Sequence, residues 1–305
     1  GIDGWRLDGP MELPADFWEE WRTLVKSINP DAFISGEIWH RADEWLGGKH
    51  FDAVMNYRFA DPVVAWVGNV ERKLTVSALD ARLAELRLAY PDEASFALMN
   101  LVGRHDTDRI ASMLLNRDRP YDRSNQVQRR DDYNSGRPHD LHFQRQRLVA
   151  LAQMTYVGAP MIYYGDEVGM WGADDPTNRK PMLWADLGPY ENSEQNFIME
   201  DHHAFYRGAI ALRREHEALR VGGFETHLTD DEQDLWVFLR THGEEVLMVA
   251  LNAGSGTSSF SPPVGDGEWS PLFGDAREPD EHGSAPMMMV GPIAGRVWRR
   301  TAPGH

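Results

Sequence analysis

Up to about residue 218, short apolar runs alternate with longer stretches of helical period; beyond it, short strand-like runs follow one another, separated by Gly, Pro and Asp. The first run, GIDGWRLDGP, sets Ile2, Trp5 and Leu7 on a strand expected to be buried, with Gly9 and Pro10 ending it. Phe17, Trp18, Trp21, Leu24, Val25 and Ile28 then recur at helical spacing, and Asn29-Pro30 closes that helix. AFISGE at 32–37 reads as a second strand and FDAVMN at 51–56 as a third. Helices are expected around 59–68 and 75–89, the second presenting Val76, Leu79, Leu83 and Leu86 on one face. FALMNLVGRHDT at 96–107 reads as a fourth strand, 141–155 as a helix and APMIYYGDE at 159–167 as a fifth strand. A closing helix is expected over 195–217, its inner face formed by Ile198, Phe205, Ala209 and Leu212. From about 219, LWVFLR, EVLMVALNA, SSF and RVWRR are short strands separated by Gly, Pro and Asp.

The strand-then-helix unit occurs five times, which implies an α/β architecture with parallel strands, either a barrel or a doubly wound sheet. Five units do not close an eight-stranded barrel. The chain opens inside a strand, so it reads as a piece of something longer. Residues 116–140 lack apolar periodicity and are crowded with Arg, Asp, Asn and Pro. They are expected to form an exposed loop, simple solvated surface in preference to a substrate-facing lid.

Composition narrows the partners. A formal net charge of -17 over 305 residues disfavours nucleic acid and anionic membrane, because both would repel the chain. The absence of cysteine rules out disulfides and thiolate metal sites, and no apolar run reaches transmembrane length. A neutral substrate and a cytoplasmic location are the expectation.

Asp8, Glu37 and Asp106 stand at the ends of three of the strands, and in a barrel such ends converge on one mouth. Paired carboxylates in different environments are what glycoside hydrolysis needs: one ionised to attack the anomeric carbon, one able to carry a proton to the leaving oxygen. Arg6 lies two residues from Asp8, on the same side of a strand. A salt bridge that merely ties down the strand end accounts for those ten residues equally well. No nucleophile-elbow serine, phosphate-cradling glycine loop or zinc signature is present.

The segments GWRLD, ISGEIWH, GRHDTDRI and GAPMIYYGDE, in this order, resemble the motifs of the α-amylase family of retaining glycosidases. FDAVMNY and DDPTNRKPMLW narrow the likeness to the cyclomaltodextrinase, neopullulanase and maltogenic amylase group. The resemblance implies the C-terminal part, strands four to eight, of a (β/α)8 TIM barrel over 1–218, followed by a small antiparallel β-sandwich domain over 219–305. It makes Asp8 the nucleophile, Glu37 the general acid and base, and Asp106 the stabiliser of the distorted sugar. Arg6 would hold Asp8 ionised and His105 would bond sugar hydroxyls, while Asp175 and Arg179 match a pair that grips the non-reducing end. Trp39 would stack on a sugar or, the favoured reading, pack as a wall. For Asp175 the competing reading is a turn residue before proline.

The substrate implied is an α-glucan oligosaccharide such as a maltodextrin or cyclodextrin. Transglycosylation with the same acids, or sugar binding without catalysis, remain the alternatives. No cofactor is implied for these residues; calcium would belong to an inserted domain, and a homodimer contact to an amino-terminal domain, neither of which is in this sequence. Asp174, Asp175 and Asn178 lack EF-hand spacing, so no metal is assigned to them. Residues 1–305 alone, with three barrel strands wanting, are expected to be inactive.

Overall fold

Parallel strands stand side by side in chain order in the computed structural model, which describes residues 1–68, 71–192, 196–265, 267–274 and 287–301. Strand β1 (Gly4–Leu7) pairs with β2 (Phe33–Gly36) over four residues, from Gly4 opposite Phe33 to Leu7 opposite Gly36. β2 pairs in turn with β3 (Ala53–Val54). A bridge from Met55 to Met99 leads on to β4 (Met99–Asn100), which pairs with β5 (Ala159–Pro160). Helix α1 (Ala15–Ile28) crosses between β1 and β2. Three helices, α2 (Tyr57–Val67), α3 (Val76–Ala89) and α4 (Asp92–Ala97), lie between β3 and β4, while α5 (Ile110–Leu115) and α6 (Asp140–Thr155) precede β5. Val76, Leu79, Leu83 and Leu86 are all buried, as their spacing requires.

Three strands, β3, β4 and β5, are much shorter than their apolar runs. Phe96 and Ala97 belong to α4, whose first turn carries Asp92 and Glu93 at the positive end of the helix dipole. Pro160, in the fifth run, has no N–H to extend a ladder. Buried amides complete the hydrogen bonding that such short strands leave open. Asn56 donates to the Asn100 side chain at 2.7 Å, Asn100 to the Val157 carbonyl at 2.7 Å, and Gln153 to the carbonyls of Asn100 and Met161 at 2.6 and 2.9 Å.

Three further expectations are corrected. β1 is not buried: among the described residues only one of its edges is paired, Trp5 is covered on one side by Trp21, and Ile2 and Trp5 remain 53% and 44% exposed. On α1 only Trp18 is fully buried, and Leu24 and Ile28 face solvent. The closing helix α7 spans Glu200–Glu215, because Ile198 is used earlier, packing against Val168, Met170 and Leu183; residues 193–195 lie outside the described residues. Helix α8 (Glu217–Val221) follows it.

The 116–140 segment is irregular, as expected, but it is not simple solvated surface. Asn116, Asn125 and Tyr133 are buried. The Tyr133 hydroxyl donates to Asp108 at 2.7 Å, Asn125 donates to Asp108 at 3.1 Å and to Asp122 at 3.3 Å, and Tyr121 donates to the Val102 carbonyl at 3.1 Å. Burial, opposed by these bonds, pushes the Asp108 carboxyl up to about 6 and that of Asp122 to about 7.

After α8 come β6 (Gly223–Asp230), β7 (Leu235–His242), β8 (Glu245–Asn252), β9 (Ser258–Phe260), β10 (Glu268–Phe273), β11 (Met288–Val290) and β12 (Ala294–Thr301). Five of them form an antiparallel sheet in the order β10-β12-β8-β7-β6, and β9 pairs with β11. Alternation sorts the side chains. Trp236, Phe238, Leu247, Val249 and Leu251 join the same apolar cluster as α2, α3 and α6, whereas Leu235, Val237, Met248 and Ala250 pack with Phe260 and Val290 of the small sheet. No described helix is long and apolar enough to cross a membrane.

Two outcomes follow for the folded protein. Leu79→Ala removes a fully buried side chain and should lower unfolding free energy by about 2–5 kcal/mol in denaturant titration. Because the folded-state value of Asp108 is raised above the ordinary 3.8, its contribution to stability is fully present below about pH 4 and is lost as pH rises through about 6. Asp108→Asn should therefore flatten the decline in stability over that window, measured by urea unfolding across the pH range.

Candidate active site

The ends of β1, β2 and β4 deliver the chemistry. Asp8 comes one residue after β1, and Gly9, with φ +48°, turns the chain away into a short 3-10 turn whose Pro10 carbonyl accepts from the Trp18 indole at 2.7 Å. Glu37 follows β2 directly. Its predecessor Gly36 has Phe51 so close that a Cβ there would meet the ring at 2.8 Å, which explains glycine in the ISGE segment. Asp106 sits on the turn beyond β4, held by Thr107, whose hydroxyl accepts from the Arg104 N–H at 2.9 Å.

These acids and three arginines form one alternating row. Arg6 donates through one nitrogen to Asp8 at 2.7 Å and through the other to Glu37 at 2.5 Å. Arg104 forms an ion pair with Glu37 at 2.6 Å and donates to Asp106. Arg179 donates to Asp106 at 2.7 Å and, through Nε, to the His105 carbonyl at 2.9 Å, and it forms an ion pair with Asp175 at 2.9 Å. The order across the mouth is thus Asp8, Arg6, Glu37, Arg104, Asp106, Arg179, Asp175. Four of the six links are charge-assisted hydrogen bonds, the stronger kind, and the Arg104–Glu37 and Arg179–Asp175 links are close ion pairs.

The environments along the row differ. Asp8 is 84% exposed at its side chain, and the Arg6 guanidinium, then the neighbouring Glu37 carboxyl, hold it below the usual carboxylate range. Glu37 is sheltered at 8% exposure and accepts from the Tyr57 hydroxyl at 2.9 Å. Burial, more than the Glu37 charge and against the pull of Arg104, raises Tyr57 well above its ordinary value, so it stays a donor. His105 lies 3.2 Å from Asp106, and its burial lowers its pKa despite that neighbour.

All eight residues singled out from the sequence fall on or beside this row. Trp39 lies face to face with Tyr57 at 3.8 Å and lines a cleft of about 720 Å³ together with His40, Tyr57, Arg58 and Tyr121. Asp175 precedes Pro176 and also holds Arg179. Asp174 is spent on local bonds, from the Asp175 N–H at 2.6 Å and from Gln126 at 3.0 Å, and Asn178 donates to the carbonyls of Arg104, His105 and Thr107 at 3.2, 2.9 and 2.7 Å. Arg104 and Tyr57 were not singled out. Their signal was position alone: Arg104 directly precedes His105-Asp106, and Tyr57 ends the FDAVMNY segment.

Residues 1–222 match the model of the α-amylase catalytic domain. Neopullulanase 2 of Thermoactinomyces vulgaris is 39% identical over 252 residues, 83% of this chain and 37% of that protein. Cyclomaltodextrinase of Geobacillus thermopakistaniensis is 35% identical over 269 residues, 88% of this chain and 40% of its own length. A solved cyclomaltodextrinase superposes with a TM-score of 0.77 at 30% identity, covering 98% of this chain and 46% of the other. The chain spans about two fifths of the length of these curated relatives. With parallel strand ends that present their acids in the family's order, and a match that runs through all of them, this chain belongs to the α-amylase family.

Proposed function

We propose that the protein hydrolyses α-1,4 glucosidic bonds of maltodextrins or cyclodextrins with retention of configuration. The observation that carries this reading is the single Arg6 guanidinium shared by an exposed carboxylate and a sheltered one at neighbouring strand ends. The names of the relatives, neopullulanase and cyclomaltodextrinase, support an α-glucan substrate.

In the first step a carboxylate oxygen of Asp8 attacks the anomeric carbon. The bond to the glycosidic oxygen breaks, and that oxygen takes the Glu37 proton as the alcohol leaves. In the second step the Glu37 carboxylate removes a proton from water, the water oxygen attacks the anomeric carbon, and Asp8 is released. Asp106, with His105 beside it, would bond the hydroxyls of the distorted ring, and Arg179 with Asp175 would grip the far end of the sugar. Four carboxyls face three guanidiniums, so the row is neutral when one carboxyl is uncharged. In this mechanism that one is Glu37 before glycosyl transfer and Asp8, as an ester, after it. The charge of the row stays constant through the step.

Proton NMR of the full-length protein acting on maltodextrin should show the α-anomer first; initial β-anomer would mean inversion and overturn the reading. Asp8→Asn should reduce kcat/KM by about 10³-fold or more, and a loss below tenfold would remove Asp8 as nucleophile. With maltotriose, glucose and maltose should dominate early products. Early accumulation of longer oligosaccharides would assign the protein to transfer instead.

A further inference from the structure

We propose that Arg104 is a positioning residue that aligns the proton donor with the sugar-gripping acid, an inference that rests on the reading of Glu37 as general acid. The side chain is 3% exposed, and its two terminal nitrogens are divided between Glu37, at 2.6 Å, and Asp106. Its guanidinium is packed as tightly as it is bonded. It lies 4.9 Å from the centre of the Trp39 ring and 5.2 Å from that of Tyr57, two rings that are themselves stacked. The backbone is held as well, its N–H by Thr107 and its carbonyl by Asn178.

A planar fork fixed at both ends sets the distance between the two acids it joins. Glu37 belongs to the end of β2 and Asp106 to the turn after β4, so nothing covalent fixes their spacing. Arg6 ties Glu37 back to the β1 side, and Arg179 ties Asp106 to the loop after β5. Arg104 alone among these three arginines spans the gap between proton donor and sugar grip. Removing it leaves each acid with a cation, but the donor no longer keeps register with the ring that Asp106 orients. Trp39 gains a second role here, because its ring and the stacked Tyr57 ring together flank the fork.

The experiment compares substrates whose leaving groups differ in their need for a proton. In the full-length protein, kcat/KM is measured for maltotriose and for 2,4-dinitrophenyl α-maltoside, whose phenolate departs unaided. Arg104→Met should lose about 10²-fold on maltotriose and at least tenfold less on the aryl maltoside. Arg104→Lys, which reaches one acid but not both, should fall between it and the unaltered protein, and carries the same comparison where the methionine variant fails to fold. Equal losses on both substrates, with Glu37→Gln still sparing the aryl maltoside, would overturn the role of Arg104 and leave the reading of Glu37 intact. Equal losses for Glu37→Gln as well would overturn both.

Discussion

Two carboxylates set on adjacent parallel strand ends repel one another, and the guanidinium of Arg6 between Asp8 and Glu37 turns that repulsion into two attractive contacts. The same device repeats twice across the mouth, with Arg104 and then Arg179 each placed between two acids. Removing one arginine from such a row does more than cut two contacts, because it takes the cation from between two acids in a partly sheltered site. The row is strongly asymmetric in exposure, open at Asp8 and closed at Glu37 and Arg104. In the proposed mechanism that asymmetry would let the two carboxyls serve two purposes.

The row is only as fixed as the loops that carry it, and those loops are tied by buried polar groups. Arg109, fully buried, donates to the Asn178 carbonyl at 2.8 Å, to the Tyr164 carbonyl at 2.7 Å and to Asp166 at 2.8 Å. Asn178 returns three bonds to the turn that holds Arg104 to Thr107. The loop after β5 is thereby sewn to the turn after β4, and Arg179 reaches Asp106 because of it. Bonds of this kind cost little once formed and much when broken, since each buried group left unpaired loses its hydration without replacement. The antiparallel sheet supports the arrangement from behind, where Trp236 meets Trp66 edge to face at 6.2 Å and Phe273 meets Phe205 at 5.3 Å.

Much of this was legible in the residues. The helices over 57–67, 76–89 and 140–155 lie where helices were expected; that over 76–89 buries the one stripe its spacing requires, whereas the other two are buried on most of their faces. The strand ends of Asp8 and Glu37 were equally plain, since a charge after an apolar run has to sit where the strand leaves the core. The motifs GWRLD, ISGEIWH, GRHDTDRI and GAPMIYYGDE, in their order, carry the family resemblance in the residues alone. Strand lengths were less legible. The apolar runs at 96–107 and 159–167 continue into buried turns, and burial without pairing looks the same in sequence as burial within a sheet.

By itself, then, the sequence determined the α/β order, the faces of the long helices and which acids stand at strand ends, all of which depend on neighbours a few residues apart. The tertiary structure alone decided how those acids are connected. Arg104 and Arg179 are 75 residues apart in number, and they share Asp106 only because β4 and β5 lie side by side and Asn178 pins their loops together. It also decided that Trp39 stacks on Tyr57, and that the polar 116–140 segment buries Tyr133 and Asn125 against Asp108. Polar residues read as solvated when taken in sequence. They become interior when a carboxyl such as that of Asp108, itself out of water, needs their donors.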